Sequence, residues 1–430
     1  MEKVAIVVCA IDGMESMETG VGVVVNSFIE HFSEAVEAEV SGTQVSVSLH
    51  CFFPKMLEGA TGLREDLLAI TKQKCAETGG NIVCLPTLSD ARDWTSMWFG
   101  TSMNSVLQQW SFLSREAAKK LDELCERYDR VVAVLHDTPF AATMKYLKSP
   151  ERLSCVWVPH SLGSIFDIDT DRYEFERHAI QIHTSLHGRV GYVSGFFQTV
   201  LREQYGVSQV DMLAFEHVLD LNSSRYQKKF GSRSDFIDLL PTASPLIFSW
   251  GRCKPQKGFD LILEAAATFL TDPDFDEYHL ALLMPDATAE PDYLNRVKAL
   301  AEVLPKDRVT IGWEFDPDAP YAVLSSRNLR YVILASRFEA FGIVACEAKV
   351  FCANKVRILF SPIEPFIRTF DGTENSVVLR NLSAGAILDA LRAGSESATA
   401  RTHDTEDYLT RQREIIGALL RPGTVTTRSI

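Results

Sequence analysis

Short runs of apolar residues alternate with amphipathic segments along most of the chain. In the first half, the runs that we predict to be strands are Val4–Ala10, Val45–Phe52, Arg130–Leu135, Cys155–Val158 and Arg189–Val193. Such short, continuous apolar runs are typical of strands that are buried on both faces of a parallel sheet. Their alternation with helical segments such as Val106–Tyr128 therefore predicts an α/β fold with helices on both faces of the sheet.

A polar segment interrupts this pattern at residues 221–245, and a second alternating series follows it. We interpret the break as a linker between a domain at 1–220 and a domain at 246–400. In the second series we predict helices at Leu261–Leu270, Tyr293–Val303 and Phe341–Val350, and strands at Leu246–Trp250, Tyr278–Met284, Val309–Ile311, Tyr331–Leu334 and Val356–Phe360. A final helix is predicted at Thr405–Leu420, within a segment (401–430) that we expect to return to the first domain.

Composition and charge narrow the class of protein. The chain has 430 residues, of which 46% are apolar and 23% charged, enough for two buried cores. Its formal net charge of −14 argues against a nucleic-acid partner or an anionic membrane surface. No apolar run is long enough for a membrane span, and nine scattered cysteines without a Cys-x-x-Cys pair are typical of reduced thiols. We therefore expect a cytoplasmic location.

The loop after the predicted strand Leu246–Trp250 carries two cations. It reads Gly251-Arg252-Cys253-Lys254-Pro255-Gln256-Lys257-Gly258, and a helical pattern follows. Loops at the carboxyl ends of parallel strands are where open α/β sheets bind ligands. Arg252 and Lys257 are therefore candidates to hold a diphosphate and to stabilise its negative charge as it leaves.

The segment Ser336–Ala348 carries two carboxylates after another predicted strand. Glu339 lies on the loop and Glu347 lies inside the following helix. Hydroxyl groups of a sugar or of a ribose are suitable hydrogen-bond donors to these acids. The backbone amides at the start of the helix form a phosphate site of the usual kind, here those of Phe341, Gly342, Ile343 and Val344. A third strand end, at Gly312 and Trp313, is a candidate wall for a nucleobase pocket.

The order of these motifs resembles glycosyltransferase family 4, in particular its sucrose-phosphate-synthase-like members. The motifs are Gly-Arg-x4-Lys-Gly and then Ser-Arg-Phe-Glu-Ala-Phe-Gly-x4-Glu-Ala. The resemblance implies the GT-B fold, with two doubly wound Rossmann-like domains facing across a cleft. It also implies that Arg252 and Lys257 hold the donor diphosphate, and Gly251 is a further candidate for donor binding. Glu339 would hold the donor sugar and Glu347 the ribose.

In that family the N-terminal half binds the acceptor, and several motifs here match. Gly20 and Gly22 resemble the glycine loop that closes over the donor phosphates. The stretch His160-Ser161-Leu162-Gly163 resembles one in which the histidine lies near the reacting sugar and the next hydroxyl contacts the acceptor. The remaining candidates for the acceptor site are His136, Asp137, Arg172 and Arg177, of which the arginines would contact an anionic acceptor or form only a solvated helix face.

Two features leave alternatives open. The loop after Glu347 lacks the glycine pair that is usual in the family, so the donor sugar is not specified. Asp167 and Asp169 match a metal-binding Asp-x-Asp motif that belongs to a different glycosyltransferase fold. The resemblance implies that no metal and no cofactor are required.

The function predicted is that of a retaining, metal-independent hexosyltransferase. It would move a sugar from a nucleotide-diphosphate sugar to a sugar, cyclitol, phosphorylated small molecule or specialised metabolite. The alternatives are an epimerase of nucleotide sugars with the same fold and a non-catalytic protein that binds nucleotide sugars. The sequence does not specify the oligomeric state.

Overall fold

The protein divides into two compact units. One comprises residues 1–223 together with 406–430, and the other comprises residues 224–405. The computed structural model describes residues 1–16, 19–54, 63–88, 103–165, 170–216, 218–220, 234–286, 289–314, 316, 318–353, 355–394 and 408–421.

The first unit contains a seven-stranded parallel sheet. The strand order is β3-β2-β1-β4-β5-β6-β7. The strands are β1 (Glu2–Cys9), β2 (Val45–Pro54), β3 (Ile82–Leu85), β4 (Arg130–His136), β5 (Leu153–Val158), β6 (Arg189–Tyr192) and β7 (Met212–Ala214). From Val4 onward β1 is wholly buried, as expected for a central strand that is covered on both faces.

Helices of the first unit connect these strands, and one arrives from the far end of the chain. They are α1 (Gly20–Glu30), α2 (Phe32–Val40), α3 (Glu65–Glu77), α4 (Met103–Cys125), α5 (Thr170–Ser185), α6 (Gly195–Glu203) and, at the carboxyl end, α14 (Tyr408–Leu420). Helix α14 packs on α2, and the side-chain amide of Gln412 donates to the Phe28 carbonyl at 2.7 Å.

The second unit contains a six-stranded parallel sheet of order β10-β9-β8-β11-β12-β13. Its strands are β8 (Leu246–Trp250), β9 (His279–Leu283), β10 (Val309–Gly312), β11 (Leu329–Leu334), β12 (Arg357–Phe360) and β13 (Ser376–Val378). Its helices are α7 (Asp235–Asp238), α8 (Phe259–Phe269), α9 (Pro291–Glu302), α10 (Ala319–Leu324), α11 (Ile343–Phe351), α12 (Glu364–Phe370) and α13 (Ala384–Arg392). Apolar clusters form its core, and Phe236 of α7, within the segment interpreted as a linker, packs in one of them.

The predicted fold class, two doubly wound α/β domains, is confirmed. Every strand predicted from an apolar run is present within two residues of its expected bounds. The strands that were not predicted are β3, β7 and β13, which have three or four residues and lie at sheet edges. Such short edge strands carry too few apolar positions to produce a periodic signal.

Strand order places particular loops side by side. In the first sheet β1 separates β2 from β4, and in the second sheet β8 separates β9 from β11. The order of the strands therefore reverses at β1/β4 and at β8/β11, the positions where doubly wound sheets leave a crevice at their carboxyl ends. In the second unit, the pairing of β8 with β11 brings together the loops that follow these two strands, which carry most of the predicted donor residues.

Among the described residues, no helix has both the length and the apolar character needed to cross a membrane.

His31 connects two distant parts of the chain within the first unit. Its Nε2 lies 2.8 Å from Oδ2 of the buried Asp220, and its ring centroid lies 5.6 Å from that of Tyr408. Each of these partners is next to a point where the chain passes from one unit to the other. The hydrogen bond that His31 donates to Asp220 is the main cause that raises the pKa of His31, with smaller contributions from Glu30 and Glu34, against the opposing effect of burial.

We expect His31→Gln to lower the stability of the first unit by about 1–2 kcal/mol near pH 6. Because the folded-state pKa is raised, the stabilisation is fully present below the unfolded value of about 6.5 and is lost as the pH rises through the folded value. Urea unfolding of wild type and variant over that range should show a difference that shrinks with increasing pH. The control is His178→Gln, at an exposed position of α5. A difference that stays constant with pH would contradict the expectation.

Candidate functional site

The loop after β8 is shaped by two glycines with positive φ. Gly251 has φ +141° and Gly258 has φ +68°. A Cβ on Gly258 would lie 2.2 Å from the carbonyl oxygen of Ala335, at the end of β11. Only glycine permits this approach, which presses the loop bearing Lys257 directly against the loop that follows β11.

Lys257 and Glu339, both predicted from the sequence, are in contact. Lys257 Nζ lies 2.5 Å from Glu339 Oε1, and the Ser336 hydroxyl donates to the same oxygen at 2.7 Å. Glu339 is 8% exposed, so its carboxylate lies mostly out of bulk solvent. The arrangement is a partly buried ion pair at the carboxyl ends of adjacent strands.

Arg337 braces the two loops against each other. Its guanidinium donates to both oxygens of Asp260, at 2.9 Å for Oδ2 and 3.2 Å for Oδ1, and to the Pro255 carbonyl. Its amide donates to the Gln256 carbonyl at 2.7 Å. Burial alone would raise the pKa of Asp260, but the hydrogen bonds and charge of Arg337, with smaller contributions from other neighbours, hold it below its usual value.

Helix α11 begins directly after Gly342. That residue has φ +84°, and a Cβ there would come within 2.9 Å of the Phe366 ring. The amides of the first helical turn lack partners inside the helix, so they point out of the end that follows the Glu339 loop. The structure therefore places the predicted phosphate-binding amides of Phe341, Gly342, Ile343 and Val344 on the same loop and first turn as Glu339.

The remaining residues of the predicted donor site are spread along the same edge of the sheet. Glu347 is buried in α11, and the Tyr321 hydroxyl donates to its Oε1 at 2.8 Å. Arg252 is exposed on the loop after β8. Gly312 ends β10, two strands away from β8, and Lys298 Nζ lies 5.2 Å from the centroid of the neighbouring Trp313 ring.

In the first unit, Asp137 follows β4 in a strained backbone conformation. It has φ +65° and ψ 179°, a region that is almost restricted to glycine. Its amide donates to the Val158 carbonyl at 2.9 Å, and its carbonyl accepts from Trp157 Nε1 at 2.8 Å. These bonds to β5 hold the peptide in place and direct the side chain towards the loop after that strand.

The Asp137 carboxylate accepts several protein donors on one oxygen. Oδ1 receives the amides of Thr138, His160 and Ser161 at 3.1, 3.4 and 3.3 Å, and the Ser161 hydroxyl at 3.1 Å. Burial raises the pKa of Asp137 to about 6; the charge of Arg172 opposes this rise and that of Glu176 adds to it. The group therefore titrates close to neutral pH.

The two histidines predicted for this site form a pair. His136 Nδ1 lies 2.9 Å from His160 Nε2, and the ring centroids are 5.2 Å apart. Burial lowers the pKa of His160 to about 3, so its ring is neutral at physiological pH. His160 therefore offers a hydrogen-bonding group without a positive charge.

The two predicted arginines of α5 lie in different environments. Arg172 is buried and bonds to Glu176, Thr138 and Ser161, next to Asp137. Arg177 is exposed and pairs with Glu174 at 2.5 Å on the outer face of the helix. The structure therefore brings Arg172, but not Arg177, together with the other predicted acceptor residues. The Asp167-Ile168-Asp169 motif lies outside the described residues.

The glycine loop is organised by an aspartate that the sequence did not single out. Asp12 Oδ2 accepts from the amide and hydroxyl of Thr19 at 2.8 and 2.6 Å, and Thr19 caps α1 by accepting the Gly22 amide. A Cβ on Gly22 would lie 2.3 Å from the Asp12 carboxylate. Gly20 is the first residue of α1.

The functional candidates that sequence reasoning missed are supporting residues: Asp12, Glu176, Asp260, Tyr321 and Ser336. None stands in a spacing that predicts chemistry; Asp260 and Tyr321 act through partners distant in sequence. By ligand spacing, Glu30, His31 and Asp220 form a group of described residues able to hold a metal ion. None of the predicted donor or acceptor residues belongs to that group.

Comparisons with known proteins give one family-model match. Residues 232–398 match the family model for glycosyl transferases group 1. Comparison with curated proteins gave no match.

Several solved structures share the fold. The sucrose-phosphate synthase of Thermosynechococcus elongatus has a TM-score of 0.61 and 14% identity, covering 97% of this chain and 95% of that one. The N-terminal domain of trehalose-6-phosphate phosphatase from Candida albicans has a TM-score of 0.63 and 12% identity, covering 98% and 97%. A UDP-forming α,α-trehalose-phosphate synthase of Burkholderia xenovorans, in complex with glucose-6-phosphate, has a TM-score of 0.59 and 10% identity, covering 97% and 96%. The group 1 match places a glycosyl transferases group 1 domain in the second unit, and the two doubly wound sheets have the GT-B fold of these solved structures.

Proposed function

We propose that the enzyme is a retaining, metal-independent hexosyltransferase that uses a nucleotide-diphosphate sugar and a small polyhydroxylated acceptor, for which a sugar phosphate is the best candidate. The observation that carries the donor half of this proposal is the Lys257–Glu339 pair, which lies beside the start of α11. It places a cation, a carboxylate and helix amides at one point of the sheet edge.

Each of these groups has a distinct task in the proposed donor site. Lys257, Arg252 and the amides at the start of α11 stabilise the negative charge on the leaving diphosphate. These positive groups take the part that a divalent cation has in other transferases. Glu339 accepts hydrogen bonds from hydroxyls of the donor sugar, and Glu347 from the ribose.

The Lys257–Glu339 pair also opposes binding of the diphosphate. Glu339 is paired with one ammonium group, that of Lys257, and an incoming phosphate would compete with Glu339 for this group. When the complete donor binds, its sugar hydroxyls donate to the Glu339 carboxylate and compensate for the weakened ion pair with Lys257. A nucleoside diphosphate without a sugar gives Glu339 no such compensation.

The acceptor part of the proposal rests on the first unit. Asp137 and Ser161 are hydroxyl-binding groups at the ends of β4 and β5, beside the His136–His160 pair. Names among the similar structures support a sugar phosphate, since they include synthases of sucrose phosphate and trehalose phosphate and one complex with glucose-6-phosphate. Retention at the anomeric carbon follows from attack on the face from which the diphosphate leaves.

We expect the melting temperature to rise with one or a few nucleotide-diphosphate sugars, and transfer to follow when sugar phosphates are supplied. NMR of the product should show the anomeric configuration of the donor, and the rate should persist in excess EDTA. An inverted product would contradict retention, and loss of the rate in EDTA would contradict metal independence. Donor conversion in the absence of any acceptor would instead indicate an epimerase.

Glu339→Gln should separate diphosphate binding from transfer. Removing the carboxylate charge releases Lys257, so affinity for UDP should rise about threefold to tenfold while transfer falls by about 100-fold or more. Calorimetry and steady-state kinetics measure the two effects. Glu290→Gln is the control, because Glu290 pairs with Lys254 of the same loop at 3.6 Å and is exposed. Weaker UDP binding by Glu339→Gln would contradict the competition.

Arg337→Met tests whether the brace between the two loops positions Lys257. The variant loses the bonds to Asp260 and to the Pro255 carbonyl, and we expect kcat/KM for the donor to fall by about tenfold to 100-fold. Arg296→Met is the control, because Arg296 pairs with the same Asp260 at 3.3 Å but from an exposed position on α9. Its effect should stay within about twofold. Equal losses of kcat/KM in both variants would show that the positive charge near Asp260 matters and that the bonds of Arg337 between the two loops do not.

A further inference from the structure

Arg172 is the buried arginine of the predicted acceptor site, and protein groups occupy its guanidinium. The side chain is 3% exposed. Nε donates to Glu176 Oε1 at 2.8 Å, and one Nη donates to Thr138 Oγ at 3.0 Å and to Ser161 Oγ at 2.6 Å. The same guanidinium lies 5.8 Å from the centroid of the Trp110 ring.

Glu176 neutralises this arginine and is itself saturated. It is fully buried, and its Oε1 accepts from Thr138 Oγ at 2.6 Å as well as from Arg172. Its Oε2 accepts from the Gly163 amide at 2.9 Å and from the Tyr205 hydroxyl at 2.7 Å. A buried ion pair with this many hydrogen bonds fixes geometry, since breaking it would leave an uncompensated charge.

The network determines the direction of each proton around Asp137. A guanidinium can only donate, so Ser161 Oγ accepts from Arg172 and must direct its own proton elsewhere. That proton points to Asp137, whose Oδ1 is 3.1 Å away and whose Oδ2 is 3.4 Å away. Oδ1 also receives three backbone amides, which leaves Oδ2 as the oxygen with capacity for a further donor.

We propose that Arg172 is a positioning residue of the acceptor site. Through Ser161 and Glu176 it orients Asp137 so that Oδ2 receives a hydroxyl of the acceptor, and it does not bind an anionic group of the acceptor itself. This inference rests on the proposed function, because it assigns the hydroxyl at Asp137 to the acceptor. It replaces the expectation that an arginine at this position contacts an acceptor phosphate.

Charge balance supports the distinction. The one positive charge of Arg172 faces the carboxylates of Glu176 and Asp137, while the neighbouring His160 is neutral. A phosphate at Arg172 would need to displace Glu176 from four donors and bury further negative charge beside Asp137. A hydroxyl donor to Asp137 Oδ2 requires neither change.

The experiment compares two arginines of the same helix. Arg172→Met removes the buried guanidinium, and Arg177→Met removes the exposed one that pairs with Glu174. Kinetics are measured with glucose 6-phosphate as acceptor at several pH values, and thermal melting reports whether each variant is folded. Arg172→Lys is the second variant, because it keeps the charge but cannot bond to Glu176, Thr138 and Ser161 together.

We expect kcat of Arg172→Met to fall by about 10- to 100-fold with little change in KM for glucose 6-phosphate. Loss of the arginine charge also removes what lowers the pKa of Asp137, so the acidic limb of kcat/KM, near pH 6 in wild type, should move to higher pH. The groups that face Asp137 are Arg172 and Glu176 of α5, His136 of β4 and His160 after β5. Arg172→Lys should lose kcat without this movement, and Arg177→Met should match wild type.

An increase in KM with kcat and the acidic limb unchanged would overturn the proposal in favour of a direct phosphate contact. Calorimetry with inorganic phosphate adds a measurement that needs no turnover. Equal affinity in wild type and Arg172→Met supports a positioning role, and a severalfold loss in the variant contradicts it. If wild type transfers no sugar, the proposed function fails, but the phosphate comparison still decides whether Arg172 is an anion ligand.

Discussion

The candidate donor site depends on the contact between Gly258 and the carbonyl of Ala335. No side chain fits between them, since a Cβ would lie 2.2 Å from the oxygen. Because of this approach, the loop after β8 lies against the loop after β11, and Lys257 reaches Glu339. Arg337 bridges the same two loops through its bonds to Asp260 and to the Pro255 carbonyl. A larger residue at 258 would require the loop after β8 or the end of β11 to shift.

In both units, an arginine paired with a buried carboxylate connects neighbouring loops. In the second unit Arg337 binds Asp260, and in the first Arg172 binds Glu176; each acid is almost completely buried. Burying a charge pair is costly, so such pairs contribute little net stability compared with apolar packing. Their effect is geometric, because each arginine fork fixes several donors at once. This is consistent with a site in which small displacements of loops would reduce the rate.

Sequence reasoning identified the residue types of the candidate donor site because the motifs that carry them are local. Lys257 and Glu339 each follow an apolar run and a change to polar residues, which places them at the carboxyl ends of predicted strands, where open α/β sheets bind ligands. The same reasoning did not separate Arg172 from Arg177. They lie five residues apart on one helix, and the helical pattern does not specify which one faces the loops after β4 and β5. Nor did it find Glu176 or Asp260, whose partners are distant in sequence.

The sequence by itself determined the elements, the two doubly wound domains and the positions of the polar residues at strand ends. These features depend on the periodicity of apolar residues and on short motifs, both of which are local. Only the tertiary structure decided which strand ends are neighbours, that Lys257 and Glu339 pair, and that Arg172 donates to protein acceptors instead of being open to an anion. Those outcomes depend on strand order and burial, because hydrogen-bond partners far apart in sequence meet only when β8 lies beside β11 and α5 packs over the ends of β4 and β5.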